Sequence, residues 1–98
     1  MSSYLFSPAN NIKFLEKAID SNSYALIPDL EDSVPLHEKK NALNNLINFL
    51  SSTNINNKII LPRIHNSDDM EWNKEQINKL IKLNIKGFII PSVEDVDS

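Results

Sequence analysis

Three carboxylates stand within four residues at Asp29-Leu30-Glu31-Asp32. Packed together, such groups repel unless a cation or an arginine neutralises them. A magnesium-centred site is one reading, because that ion prefers hard oxygen ligands. Negative charge at a helix N-terminus, favoured by the helix macrodipole, is the other. Arg63 closes a later apolar run and could clamp a substrate carboxylate with two parallel hydrogen bonds. It could also form a structural ion pair with Asp29 or Glu31. The two roles are compatible, since a resting pair can yield to substrate. His65 is either an acid/base group or a hydrogen-bonded loop residue. Asn10 is either a helix cap or a substrate contact. His37 falls in the first turn of a helix and faces solvent, and Trp72 packs in the core or at an interface. Glu94 and Asp95 read as N-terminal charges on a fourth helix that the chain barely begins.

The elements that position these residues alternate between two periods. Tyr4-Leu5-Phe6, Ser23–Ile27, Lys58–Leu61 and Gly87–Ile90 are short apolar runs bounded by turn residues, as buried strands are. Between them, residues recur at helical spacing: Phe14, Leu15, Ala18 and Ile19; Leu43, Leu46, Ile47 and Leu50; Ile77, Leu80 and Ile81. Asn10 or Asn11 caps the first helix, Pro35 suits the first turn of the second, and Asp68 with Glu71 has capping-box spacing before the third. Residues 54–57 form a loop. The expected order is βαβαβαβ. Strands without inside/outside alternation belong to a parallel sheet covered on both faces. Pro28 and Pro62 fall within or at the end of strands and remove ladder donors, which a bulge or a last pairing position tolerates. Every polar group singled out, His37 apart, follows a strand, at the rim where parallel α/β folds place their chemistry.

Bulk properties exclude several classes. The chain has 98 residues, 41% hydrophobic and 23% charged, which suits one globular domain. A net charge of -3 with scattered lysines and a single arginine gives no electrostatic case for nucleic acid or membrane. No cysteine is present, so disulfides and thiolate metal sites are excluded. One glycine in the chain argues against a glycine-cradled phosphate site. There is neither a secretory signal nor an apolar run of the roughly 18 residues that a membrane span needs. The expected location is cytoplasmic.

Tyr4-Leu5-Phe6-Ser7-Pro8-Ala9-Asn10, Phe14-Leu15-Glu16-Lys17-Ala18, Leu26 to Pro35, Pro62-Arg63-Ile64 and Ile89 to Glu94 together resemble the N-terminal part of the HpcH/HpaI aldolase/citrate lyase β-subunit family. Asp-Leu-Glu-Asp-Ser-Val at 29–34 is the most specific piece. The resemblance implies the N-terminal half of a TIM barrel of about eight strands and roughly three times this length. It implies Mg²⁺-dependent cleavage or formation of a carbon–carbon bond in a 3-hydroxy-acyl thioester such as malyl-, citramalyl- or citryl-CoA. The substrate would be a CoA thioester or a keto acid, and the full-length parent a homo-oligomer.

Carried over by residue, Arg63 matches the arginine that contacts the keto acid's carboxylate. Glu31 and Asp32 match carboxylates beside the metal, acting mainly through its bound waters. Pro8-Ala9-Asn10 matches a turn near the thioester or nucleotide end. His65 stands where the family usually has Asn, Ser92 where it often has Lys, and Ala9 where it often has Gly. His65 is thus expected at the substrate, with an effect on its selection. The family's direct metal ligands, a Glu and an Asp on later strands, are not in this chain. The sequence is therefore expected to be a partial barrel domain over residues 1–98, marginally folded and without lyase activity when isolated. A related 2-keto-3-deoxy acid aldolase and a non-catalytic half-barrel interaction protein are the alternatives.

Overall fold

The structure, a computed structural model, describes residues 4–53 and 58–91. In chain order it contains β1 (Tyr4–Pro8), α1 (Ile12–Ile19), β2 (Ala25–Asp29), a 3₁₀ turn (Leu36–Glu38) running into α2 (Lys39–Ser52), β3 (Ile59–Ile60) and α3 (Met70–Leu80). The three strands form one parallel sheet in the order β1-β2-β3. Sequential parallel strands joined by helices are the repeating unit of the expected barrel. The loop expected at 54–57 and the residues Ser92, Glu94 and Asp95 lie outside the described residues.

β2 is the centre of the sheet, and all five of its residues are buried. Its apolar run Ala25-Leu26-Ile27 is covered on both faces, as the absence of alternation predicts. β1 departs from that expectation. Tyr4, Leu5 and Phe6 are exposed, and among the described residues no strand pairs with the outer edge of β1.

The fourth expected strand is reduced to a single bridge, and the prolines supply the reason. β2 and β3 keep one register throughout: Ala25 faces Ile59, Leu26 faces Ile60, and beyond a gap Asp29 faces Arg63. In the gap Pro28 has no N–H to give across to β3, although its carbonyl accepts from Arg63 N at 2.9 Å. β3 is therefore shorter than Lys58–Leu61. Pro62 repeats the omission on the other side. Lys86 N donates to Ile60 O, and Ile89 N donates to Pro62 O. Three steps of chain thus oppose two, a bulge, and segment 87–90 keeps only the parallel bridge of Ile89 to Arg63.

The helices cover the core. Asn11, not Asn10, caps α1, its side chain accepting from Phe14 N at 3.1 Å. Leu15, Ala18 and Ile19 face inward, but Phe14 is 52% exposed and leaves the expected stripe. In α2 the buried line runs through Ala42, Leu43, Leu46 and Phe49, with Ile47 and Leu50 half-buried against it.

α3 is rotated relative to its apolar pattern. It buries Trp72, Asn73, Gln76 and Leu80, while Ile81 is 62% exposed. The polar members earn their place by bonding the loop before the helix. Gln76 accepts from His65 N at 2.7 Å and donates to His65 O at 2.8 Å, and Asn73 accepts from Ser67 N at 2.9 Å. Fully bonded, they avoid the cost of an unsatisfied buried amide.

The cap of α3 is Asp69, one residue beyond the expected Asp68. Its carboxylate accepts from Glu71 N at 3.1 Å and Trp72 N at 3.2 Å. Asp69→Ala should lower stability by about 1 kcal/mol, whereas Asp68→Ala should stay within about 0.5 kcal/mol of the parent. Urea unfolding of the two variants side by side checks the assignment.

Candidate functional site

The C-terminal ends of β2 and β3 meet through Asp29 and Arg63. Arg63 Nε and Nη2 each donate to one Asp29 oxygen at 2.9 Å, a two-point pair between facing bridge residues. The guanidinium lies 5.3 Å from the Phe6 ring centre of β1, within cation–π range. Asp29 also accepts from Glu31 N at 2.9 Å, Ser33 N at 3.2 Å and Ser33 Oγ at 2.8 Å. Burial pushes the Asp29 carboxyl up. Arg63, then the Glu31 and Ser33 donors, outweigh it and hold the group down at about 2. In return, Asp29 strengthens the hold of Arg63 on its proton.

This pair occupies one edge of the guanidinium and leaves the other. Nε and Nη2 face Asp29, while Nη1 makes no hydrogen bond with the described residues. The two roles that the sequence allows for Arg63 therefore need not compete. The donors of Nη1 are not taken by Asp29.

Glu31 and Asp32 stand beside that cation. Glu31 Oε1 is 3.8 Å from Arg63 Nε, and Asp32 Oδ2 is 3.7 Å from Arg63 Nη2. These are Coulombic contacts and too long for hydrogen bonds. Asp32 is 76% exposed along its side chain and Glu31 25%. Burial raises the Glu31 carboxyl above its ordinary value, helped by the neighbouring Asp32 carboxyl and opposed by Arg63. The three carboxylates and the arginine are thus brought to one rim.

The remaining expected residues divide. Pro8 ends β1, and Ala9 N donates to Asp29 O at 3.0 Å, tying the first turn to β2. Ala9 is wholly buried and presents no surface to a ligand. Asn10 is half-buried and donates to Glu38 Oε1 at 2.8 Å. His65 points elsewhere: its Nδ1 accepts from Trp72 Nε1 at 3.0 Å, in a cleft of about 380 Å³ lined also by Leu36, Lys39 and Lys40. Burial, then the charge of Lys39, lower its pKa. The indole donor fixes the neutral tautomer with the proton on Nε2. His37 faces solvent, and Trp72 is buried, as expected.

One residue at the site is absent from the sequence-based set. Lys39 is 6% exposed, and its ammonium donates to the carbonyls of Leu30, Glu31 and Val34. Its position held the signal. Residues 39, 42, 43, 46 and 49 share one face of α2, so a lysine there must reach a buried partner.

Residues 2–98 match the HpcH/HpaI aldolase/citrate lyase family. The chain belongs to that family. Among solved structures it is similar to protein CitE from Mycobacterium tuberculosis in complex with magnesium and acetate, with a TM-score of 0.69 and 25% identity. The match covers 93% of this chain and 36% of that one, so the chain spans about a third of its neighbour's length. No curated protein matches the sequence.

That neighbour holds magnesium, and the donor set of this chain bears on such an ion only in part. Asp29 has both oxygens engaged by five hydrogen bonds, which removes it as a ligand. Glu31 and Asp32 keep free oxygens, but Arg63 stands within 4 Å of both. Among the described residues no three His, Asp or Glu side chains are grouped to hold a metal ion. Two hard-oxygen carboxylates of the kind Mg²⁺ prefers remain beside the arginine. Also among the described residues, no helix is long and apolar enough to cross a membrane.

The ion pair carries a pH signature. The folded Asp29 carboxyl titrates at about 2 against an ordinary 3.8. Its stabilising contribution is complete above the ordinary value and is lost as pH falls toward 2. Unfolding measured from pH 5 to 2 should show that loss in the parent, and Asp29→Asn should lack this component. An identical pH dependence in both would contradict the assignment.

Proposed function

We propose that this chain supplies the keto-acid end of the site in a Mg²⁺-dependent carbon–carbon lyase. The substrate would be a 3-hydroxy-acyl-CoA of the malyl, citramalyl or citryl type, released as a keto acid and an acyl thioester. The observation that carries the reading is the half-occupied guanidinium of Arg63. Asp29 grips one edge and the Phe6 ring lies beside the cation, while the free edge is a planar two-donor seat for a carboxylate. Family membership supports the reaction class, and the resemblance supplies the CoA thioester and a homo-oligomeric parent.

In this reading Arg63 binds and orients the carboxylate of the keto acid as the carbon–carbon bond breaks, and holds it again on release. Glu31 and Asp32 would accept hydrogen bonds from the water of a bound Mg²⁺. The Asp29 bonds keep the guanidinium plane fixed, so little orientational freedom is lost when substrate arrives. A bound Mg²⁺ supplies Lewis acidity at the keto oxygen. Pro8 and Asn10 at the β1 rim are assigned to the thioester side.

In the catalytically competent protein containing residues 1–98, Arg63→Ala should raise KM for the keto acid and lower kcat/KM by roughly two to three orders of magnitude. Arg63→Lys keeps the charge but loses the planar edge, and should fall between. Steady-state kinetics with glyoxylate, pyruvate and oxaloacetate as partners reads the effect. An unchanged kcat/KM would remove Arg63 from the site.

A further inference from the structure

The acidic loop is held between two opposite charges. Its amides turn toward Asp29, which accepts from Glu31 N and Ser33 N. Its carbonyls turn toward Lys39, which takes those of Leu30, Glu31 and Val34. The peptide unit between Leu30 and Glu31 thus has its N–H on the anion and its C=O on the cation. The side chains of Glu31 and Asp32 are left to project beside Arg63.

A buried ammonium is a costly way to bond three carbonyls unless its charge matters. Burial lowers the Lys39 pKa, and Glu31, Asp29 and Asp32, in that order, oppose the shift. The coupling is reciprocal, so Lys39 favours the ionised form of those carboxylates. The charge count shows its weight. Asp29, Glu31 and Asp32 are balanced by Arg63 and Lys39 to a net single negative charge. Without Lys39 the rim is doubly negative and repels an anionic substrate. The other titratable groups facing Lys39 across the neighbouring cleft are His65, Lys40, Asp68 and Asp69.

We propose that Lys39 is a positioning residue that shapes the acidic loop and sets the charge balance under which Arg63 accepts an anionic keto acid. This rests on the function proposed above. Lys39 touches no substrate in this scheme, and acts through Glu31, Asp32 and Arg63.

The test compares Lys39→Met, similar in length and neutral, with Lys39→Arg, which keeps the charge, in the catalytically competent protein containing this chain. Lys39→Met should raise KM for the keto acid about tenfold, leave KM for the thioester unchanged, and move the acid limb of the pH profile upward. Lys39→Arg should recover most of the keto-acid KM. A lower kcat or active fraction with both KM values unmoved would reduce Lys39 to a folding role and overturn the proposal. Equal keto-acid KM defects in the two variants would also overturn it. If Lys39→Met does not fold, Lys39→Arg decides: a KM within about twofold of the parent upholds the charge role, and a rise matching that of Arg63→Ala ends it. Arg63→Ala separates the two levels. If it leaves the keto-acid KM unmoved, the functional reading fails. If it acts while Lys39→Met is silent, only the role of Lys39 fails.

Discussion

The rim of this molecule depends on one buried carboxylate. Asp29 accepts five hydrogen bonds, from Arg63 on the neighbouring strand and from the loop that follows its own. Charge-assisted bonds of this kind are roughly twice as strong as neutral ones. Removing either partner of a buried ion pair leaves the other uncompensated, a more severe defect than replacing both. Asp29 thus joins β2 to β3, winds the acidic loop, and fixes the plane of the only arginine in the chain. The position of Glu31 and Asp32 follows from that winding.

The same interaction shows how one residue can serve structure and chemistry together. A guanidinium has five donors in a rigid fork, and Asp29 takes two of them. A lysine at 63 would present a point charge that Asp29 could neutralise outright. Planarity lets Arg63 keep a structural bond and still offer an edge. Phe6, exposed and beside the guanidinium, adds a third strand to the arrangement without adding a polar group.

Much of this was legible in the sequence because it depends on period and punctuation. The runs at Ala25–Ile27 and Ile59–Ile60 are strands because they are apolar on both faces, and the acidic and arginine residues lie at the rim because they follow those runs. What failed did so where polar groups replaced apolar ones. Gln76 and Asn73 are buried because they bond loop backbone, so a hydrophobic stripe drawn through Ile77, Leu80 and Ile81 finds Leu80 but not the polar part of the buried face of α3. Lys39 escapes a hydrophobic pattern for the same reason, as a charge at a core-facing helical position. Asp68 and Asp69 differ as caps by one residue, which spacing alone does not resolve. The direction of His65 was not legible either, since a strand-end residue can turn to either layer and only Trp72 decides it.

The facing prolines have a structural consequence. Pro28 and Pro62 are fully buried and stand where β2 and β3 interrupt their pairing. Below them lies a regular ladder, and above them Asp29 and Arg63 are fastened through both backbone and side chains. Leu61 N and Arg63 N still bond Leu26 O and Pro28 O on either side of that step, so the paired prolines remove one donor and leave the register intact.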